Sequence, residues 1–328
     1  MQILERPECP ICATQGRVLY EQLTDPWFNA PGHWRMRQCA APACGALWLD
    51  PAPHPDTLGE AYAGYHTHAD AASTGVTELR DLLYASYAAL RLEYPSPAHP
   101  AWPLLAWMVS LWPKRAEIAR ATCLHLPHVD GGRALDVGCG AGRQLAQLSN
   151  RGWTVMGIEP DEAAAQVARA KGYEVQVGDL ITVALPPTSF DAVVMSHVLE
   201  HLPQPREHLL RAHALLREDG RLVVLTPNAS SLGHRVYGRR WRGLEPPRHL
   251  QVFTPSSLHA LLTETGYEVE KLETSARNAA QAFAESATAS AAAAPGARHR
   301  ALEAIERMAV LAGFSVGDEL IAVARRPA

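Results

Sequence analysis

The spacing of apolar and polar residues changes near residue 130 of this chain. Downstream of it, short apolar runs rich in Val, Ile and Leu alternate with stretches of helical period. The runs predict strands over Arg133–Val137, Trp153–Glu159, Glu174–Val177, Asp191–Ser196, Arg221–Thr226, Tyr267–Thr274 and Glu319–Arg325. The stretches between them predict helices over Gln144–Arg151, Asp161–Lys171, Gln204–Arg217 and Pro255–Thr265. Gly152, Gly172, Gly220 and Gly266 stand just past these helices, where a left-handed residue closes the last turn. Strands and helices in alternation predict an α/β domain over 130–328 with a doubly wound, Rossmann-like sheet. Ala-rich helical sequence over 276–315, including the run Ala291–Ala294 before Pro295, reads as an insertion ahead of the last strand.

Two regions precede that domain. Residues 51–129 read as a helical linker or lid. Leu79, Leu82, Leu83, Ser86 and Leu90 fall at helical spacing, and Leu104–Arg120 forms a second helical stretch beyond the Pro-rich segment Tyr94–Pro100. Residues 1–50 are rich in Cys, Pro, Trp and Gly, with only short strand-like runs such as Arg17–Tyr20.

Composition narrows the function classes. With 47% hydrophobic and 20% charged residues, 328 residues can bury one large core or two. The net charge is −4 and no block of like charge points to nucleic acid; the cluster Arg235, Arg239, Arg240, Arg242 is too short for that. The first residues lack the apolar core of a signal peptide, and the longest apolar stretch, around 103–112, is too short to span a bilayer. A cytoplasmic location is therefore expected, with no transmembrane segment, and six cysteines there read as thiols or metal ligands.

The strongest motif is Asp136-Val137-Gly138-Cys139-Gly140-Ala141-Gly142, a strand running into three glycines and then a helix. Glycine lets backbone turn sharply and approach a ligand closely, and such a loop lies where open α/β sheets bind ligands. Glu159 ends the next strand, where a carboxylate accepts ribose hydroxyls, and Asp179 follows the third strand, within reach of an adenine amino group. A nicotinamide fingerprint needs a glycine at its sixth position, but Arg143 stands there. Asp136 also favours a cationic amino-acid ligand over a pyrophosphate.

At these residues the chain resembles the class I methyltransferases dependent on S-adenosylmethionine (SAM), of the ubiquinone-biosynthesis type. Phe190–Leu202 resembles their fourth-strand segment and Leu216–Leu222 their turn into strand five. The resemblance implies a seven-stranded sheet with an antiparallel last strand, and methyl transfer that leaves S-adenosylhomocysteine. It implies a cofactor site of Asp136, Gly138, Cys139, Gly140, Gly142, Glu159, Pro160, Asp179, Leu180, Ser196 and His197. In some ubiquinone-pathway relatives a Glu that can hold a divalent ion stands where this chain has His197.

The acceptor leaves fewer traces. A hydroxyl acceptor needs a base, and imidazole titrates in the right range. His197, His201 and His249 are the candidates among fifteen histidines, the first two because they flank the end of the fourth strand. In the loop after strand five, Trp241 offers a flat face, Arg248 an anion clamp and His249 a titratable group. The structural alternative has Arg248 pairing with a carboxylate and His249 capping a carbonyl. The aromatic stretch Ala101–Trp112 reads as core, as a lipid-facing surface, or as a subunit contact in a homodimer.

Cys9-Pro10-Ile11-Cys12 and Cys39–Cys44 form two short Cys pairs with 26 residues between them, the spacing of a four-cysteine zinc ribbon. Four thiolates leave no open position, so the expected Zn²⁺ is structural. The whole predicts a SAM-dependent methyltransferase acting on a hydroxyl of a small molecule, such as a specialised metabolite, a sugar or a lipid-linked intermediate. C- or N-methylation on the same scaffold, and a non-catalytic SAM-binding regulator, are the alternatives.

Overall fold

The structure, a computed structural model, describes residues 1–62, 78–288 and 297–328; the run Ala291–Ala294 and Pro295 lie outside the described residues. The chain divides into two compact units. One comprises Met1–Tyr65, His197–Leu210 and Val224–Ala322, the other His66–Ser196, Arg211–Val223 and Val323–Ala328. These divisions run elsewhere than the expected boundaries at 50 and 129.

The second unit is built on parallel strands. Arg133–Val137 pairs in parallel with Thr154–Glu159 on one side and with Phe190–Ser196 on the other, and Glu174–Val177 adds beyond Thr154–Glu159. Ala134, Leu135, Ala192, Val193, Val194 and Met195 are all fully buried, which is why these strands read as continuous apolar runs. The seven-stranded sheet takes the order Glu268–Ser275, Glu319–Arg325, Leu216–Pro227, Phe190–Ser196, Arg133–Val137, Thr154–Glu159, Glu174–Val177. At one end of Leu216–Pro227, Asp219 N–H donates to the Arg326 carbonyl; at the other, Asn228 N–H donates to that of Asp318. Start meets end, so the last strand runs antiparallel. The sheet thus has the Rossmann-like form that the sequence resemblance implied.

Local signals place most helices within a residue or two. Asp161 caps Glu162–Ala170 by accepting from the N–H groups of Ala163 and Ala164, and Thr254 with Ser257 forms a capping box on Pro255–Glu264. Gly152, Gly172 and Gly266 take φ of 88°, 92° and 92°, the left-handed closures expected of them. Gly220 does not. The preceding helix ends early, at Leu215, because the N–H groups of Thr188 and Ser189 satisfy the carbonyls of Ala214 and Leu215. The strand begins at once, at Leu216, and Asp219 makes the left-handed turn instead. The expected helix Leu104–Arg120 is two, Trp102–Ser110 and Pro113–Ala121. Pro113 bars its predecessor from helical geometry, and Trp112 is extended at φ −114° and ψ 90°. The predicted insertion contains the helices Ala279–Thr288 and Ala297–Leu311.

In the first unit, Gly16–Leu23, Trp34–Cys39 and Leu47–Leu49 form an antiparallel sheet that Gln251–Val252 completes. Trp34, Met36, Leu47 and Leu49 share one core with Trp241, Leu244, Leu250 and Val252. The N-terminal residues therefore fold on the loop after strand five rather than as a free-standing module. Among the described residues no helix is long and apolar enough to cross a membrane.

Candidate active site

The glycine loop lies in the second unit. Gly138, Gly140 and Gly142 have φ of 69°, 53° and 85°, a left-handed path that side chains resist. A Cβ on Gly142 would stand 3.1 Å from both Ala168 and Tyr173, so this residue also lets the loop pack on the helix Glu162–Ala170. One carboxylate oxygen of Glu159 accepts from Gly140 N–H at 2.7 Å and the other from Asp161 N–H at 2.9 Å. Asp179 accepts from Ile181 N–H at 2.8 Å, and Leu180 is buried beside it, whereas Pro160 is exposed.

Asp136 differs from Glu159 and Asp179, whose carboxylates accept backbone hydrogen bonds. It is fully buried in the central strand, and neither carboxylate oxygen has a hydrogen-bond partner. Burial, reinforced by the charge of Glu159, pushes its pKa up to about 8. An orphaned acid under a glycine loop has the chemistry to receive an ammonium group, and the amino-acid end of SAM carries one. Asp136 and Glu159, with the loop between them, fit that cofactor.

The three candidate histidines gather in the first unit, around two glutamates that sequence reasoning did not single out. His197 directly follows Ser196, the end of the fourth strand, and takes a left-handed φ of 55°. Its Nε2 lies 2.9 Å from Glu319 and its Nδ1 3.4 Å from Glu200. Its side chain is 46% exposed, so the partial desolvation that opposes its charge is outweighed by pairing with both carboxylates, which raises its pKa to about 10. At neutral pH His197 is a cation with both nitrogens engaged. That arrangement favours the imidazolium over a free base.

Glu200 is fully buried, and Thr226 donates to it at 2.9 Å. Burial works against its ionisation, yet pairing with His197 and the neighbouring imidazoles pull its pKa to about 2. His201 and His249 stand ring against ring, centroids 4.7 Å apart. His201 Nδ1 lies 3.0 Å from the Arg248 carbonyl and 3.0 Å from the Tyr62 hydroxyl; His249 Nδ1 lies 2.8 Å from the Gly243 carbonyl. A carbonyl only accepts, so in each neutral ring Nδ1 holds the proton and Nε2 the lone pair. Glu200, His201 and His249 each offer one atom within 4.8 Å of the others, a donor set that a divalent ion could also use. Burial lowers the His249 pKa to about 4, and His201 is the less buried of the two.

The expected acceptor residues take the structural alternative. Trp241 is fully buried, its Nε1 donating to Asp318 at 2.9 Å, so it presents no open face. Arg248 is also fully buried. Its guanidinium donates to Glu245 at 2.8 Å, to Asp25 at 2.9 Å and to the Ala61 carbonyl at 3.0 Å, and it lies over the Phe28 ring. A cation so enclosed clamps the protein's own chain rather than an acceptor's anion. Glu245, which also pairs with Arg242, is held near a pKa of 2: burial opposes its charge, and His249, Arg242 and Arg248 overcome it.

Cys9, Cys12, Cys39 and Cys44 converge as expected, every Sγ within 4.8 Å of the others. The Cys9–Cys44 and Cys12–Cys39 sulfurs are 3.7 Å and 3.4 Å apart. Tetrahedral zinc with bonds of about 2.3 Å sets its sulfurs about 3.8 Å apart, so the four thiols fit that ion. The knuckles also touch the rest of the unit: Thr254 donates to the Cys44 carbonyl and Arg206 to that of Ile11.

Comparison with known proteins agrees with the reading of the glycine loop. Residues 112–272 match a family model described as a methyltransferase domain. The ubiquinone biosynthesis O-methyltransferase of Pseudomonas aeruginosa is 30% identical over 155 residues, which are 43% of this chain and 67% of that protein. That of Thiobacillus denitrificans is 31% identical with the same coverage. A 37.1 kDa protein in transposon TN4556 of Streptomyces fradiae is 34% identical over 110 residues, 31% of this chain and 32% of its own length. The chain thus spans between a third and two thirds of these curated relatives. The crystal structure of a SAM-dependent methyltransferase from Mesorhizobium loti aligns with 63% of this chain and 97% of its own, at 21% identity and a TM-score of 0.46. On the family-model match, which runs through the glycine loop and the fourth-strand segment, and on the relatives of 30% identity or more, the chain belongs to the SAM-dependent methyltransferase family.

Proposed function

We propose that this chain transfers the methyl group of SAM to a hydroxyl of a small molecule, with His201 as the general base. Asp136, Glu159 and the loop Gly138–Gly142 would hold the cofactor, with Asp179, Leu180 and Ser196 as further contacts. SAM supplies an electrophilic methyl group, so alignment does most of the work. What remains for the protein is removal of the hydroxyl proton. His201 carries this reading: the Arg248 carbonyl selects the tautomer of its neutral ring that has the lone pair on Nε2, and the ring is not fully buried. His197 is the weaker candidate because two carboxylates favour its cation, and His249 is buried against His201. The O-methyltransferase names of the relatives are consistent with a hydroxyl acceptor. The four-cysteine cluster is read as a structural Zn²⁺ site.

Calorimetric titration with SAM and, separately, NADH tests the cofactor; saturable NADH binding without SAM binding would overturn the reading. Release of S-adenosylhomocysteine is then screened with phenolic, sugar and amine acceptors. His201→Ala is expected to lower kcat by about 10²- to 10⁴-fold, the usual worth of a general base, with SAM affinity unchanged. Full turnover in that variant, or methylation of amines alone, would reject the assignment.

A further inference from the structure

We propose that the helix Trp102–Ser110 and the turn after it dock this chain on an anionic phospholipid surface. Leu104, Trp107, Met108, Leu111 and Trp112 recur at helical spacing and are between 52% and 63% exposed. The opposite face of the same helix is buried through Ala106 and Val109. A helix apolar on both faces needs a cover on its outer side, and a contiguous stripe of this kind marks an interaction surface.

Charge identifies the cover. From residue 94 to residue 116 there is no Asp or Glu, although the chain as a whole carries a net charge of −4. The charged side chains of that segment are Lys114 and Arg115, both exposed at its end, and the Arg115 guanidinium lies 5.4 Å from the centre of the Trp112 ring. The segment also holds three of the chain's eight tryptophans. Indole rings with basic neighbours suit the boundary between acyl chains and anionic headgroups. A second copy suits the face less well. A two-fold contact would bring Lys114 and Arg115 of both copies to a surface whose own segment supplies no carboxylate. Nine helical residues span about 13 Å, far short of a bilayer, so the helix would lie in the plane of the interface.

Flotation of the full chain with vesicles tests this, comparing phosphatidylcholine alone with phosphatidylcholine mixed with phosphatidylglycerol. The chain is expected to float with the mixed vesicles and to stay behind with the neutral ones. Trp107→Ser/Leu111→Ser should weaken binding by more than about tenfold through lost apolar burial. Lys114→Glu should weaken it by more than about fivefold, the worth of one basic charge at an anionic surface. Circular dichroism and SAM titration show whether each variant is folded; all three positions are exposed. A chain that does not float, or a double variant that floats as well as the parent, overturns the proposal. So does light scattering that finds a dimer in the parent and a monomer in the double variant, since the stripe would then serve a second copy.

Discussion

His197 and Glu319 are 122 residues apart in sequence, and Nε2 of one lies 2.9 Å from a carboxylate oxygen of the other. The pair joins the residue after the fourth strand to the first residue of the last. Its partner on the far side, Glu200, completes a carboxylate–imidazolium–carboxylate row. The first expectation follows from the sign of the shift. A histidine whose folded pKa is raised to about 10 adds stability that is fully present below its unfolded value near 6.5 and is lost as pH rises through 10. Glu319→Gln should lower the His197 pKa, read from its imidazole proton shifts, and flatten the decline of stability between pH 7 and 10. Because 46% of the ring is open to solvent, the change in stability should stay at about 1 kcal/mol or less. An unmoved His197 titration in that variant would refute the pairing.

Arg248 is expected to behave as a structural residue. Arg248→Met leaves Asp25 and Glu245 as buried carboxylates without their shared cation, which should cost about 3–5 kcal/mol in chemical denaturation. Trp241→Ala should cost a similar amount, about 3–5 kcal/mol, through the cavity it leaves. If either variant instead kept its stability while the KM for an acceptor rose, Arg248 or Trp241 would return to the acceptor site.

These two residues also show where sequence reading ends. The strands Arg133–Val137 and Glu319–Arg325 were legible to the residue because strands buried on both faces write themselves as short apolar runs, and the half-exposed edge strand Glu174–Val177 was legible because Gly172 and Gly178 bracket it. The glycine loop was legible because glycine spacing at the end of an apolar strand is a local signal. The surroundings of Arg248 were not. Its partners include Asp25, 223 residues away, and the Ala61 carbonyl, 187 residues away, and no local pattern reports such pairings. Gln251–Val252 was missed as a strand for a like reason: two residues gain their partner only from Leu47–Leu49. Glu200 stood in plain view between His197 and His201, yet only the fold shows that it is fully buried and faces both His197 and His249.

The cysteine cluster should hold one zinc per chain, measured by native mass spectrometry. Removing Cys39 by Cys39→Ser should abolish retention and cost several kcal/mol of stability, since a structural site's binding energy is folding energy. The loss should spread beyond the knuckles. Thr254 caps the helix Pro255–Glu264 and donates to the Cys44 carbonyl, so hydrogen exchange in that helix should quicken as well. Zinc-free protein with unchanged exchange there would confine the metal's role to residues 1–50.

Asp136 gives the expectation that joins stability, pH and the cofactor. Its folded pKa of about 8 lies above the unfolded value near 3.9, so the folded apo protein binds more protons than the unfolded chain between those limits. Stability from this group is therefore fully present below pH 4 and declines as pH rises towards 8. Asp136→Asn should remove that decline and leave the apo protein more stable than the parent at pH 8. The same acid is mostly neutral at pH 7 and would have to ionise to receive an ammonium group. SAM binding should then release a proton at pH 7, seen as a dependence of the calorimetric enthalpy on the ionisation heat of the buffer, and SAM affinity should rise with pH up to about 8. Asn keeps the shape but cannot supply the charge, so the variant should bind SAM at least about tenfold more weakly, the cost of one lost charge-assisted contact. If Asp136→Asn bound SAM as tightly as the parent and released no fewer protons, the acid beneath the loop would be structural, and the cofactor's amino group would have to be held elsewhere.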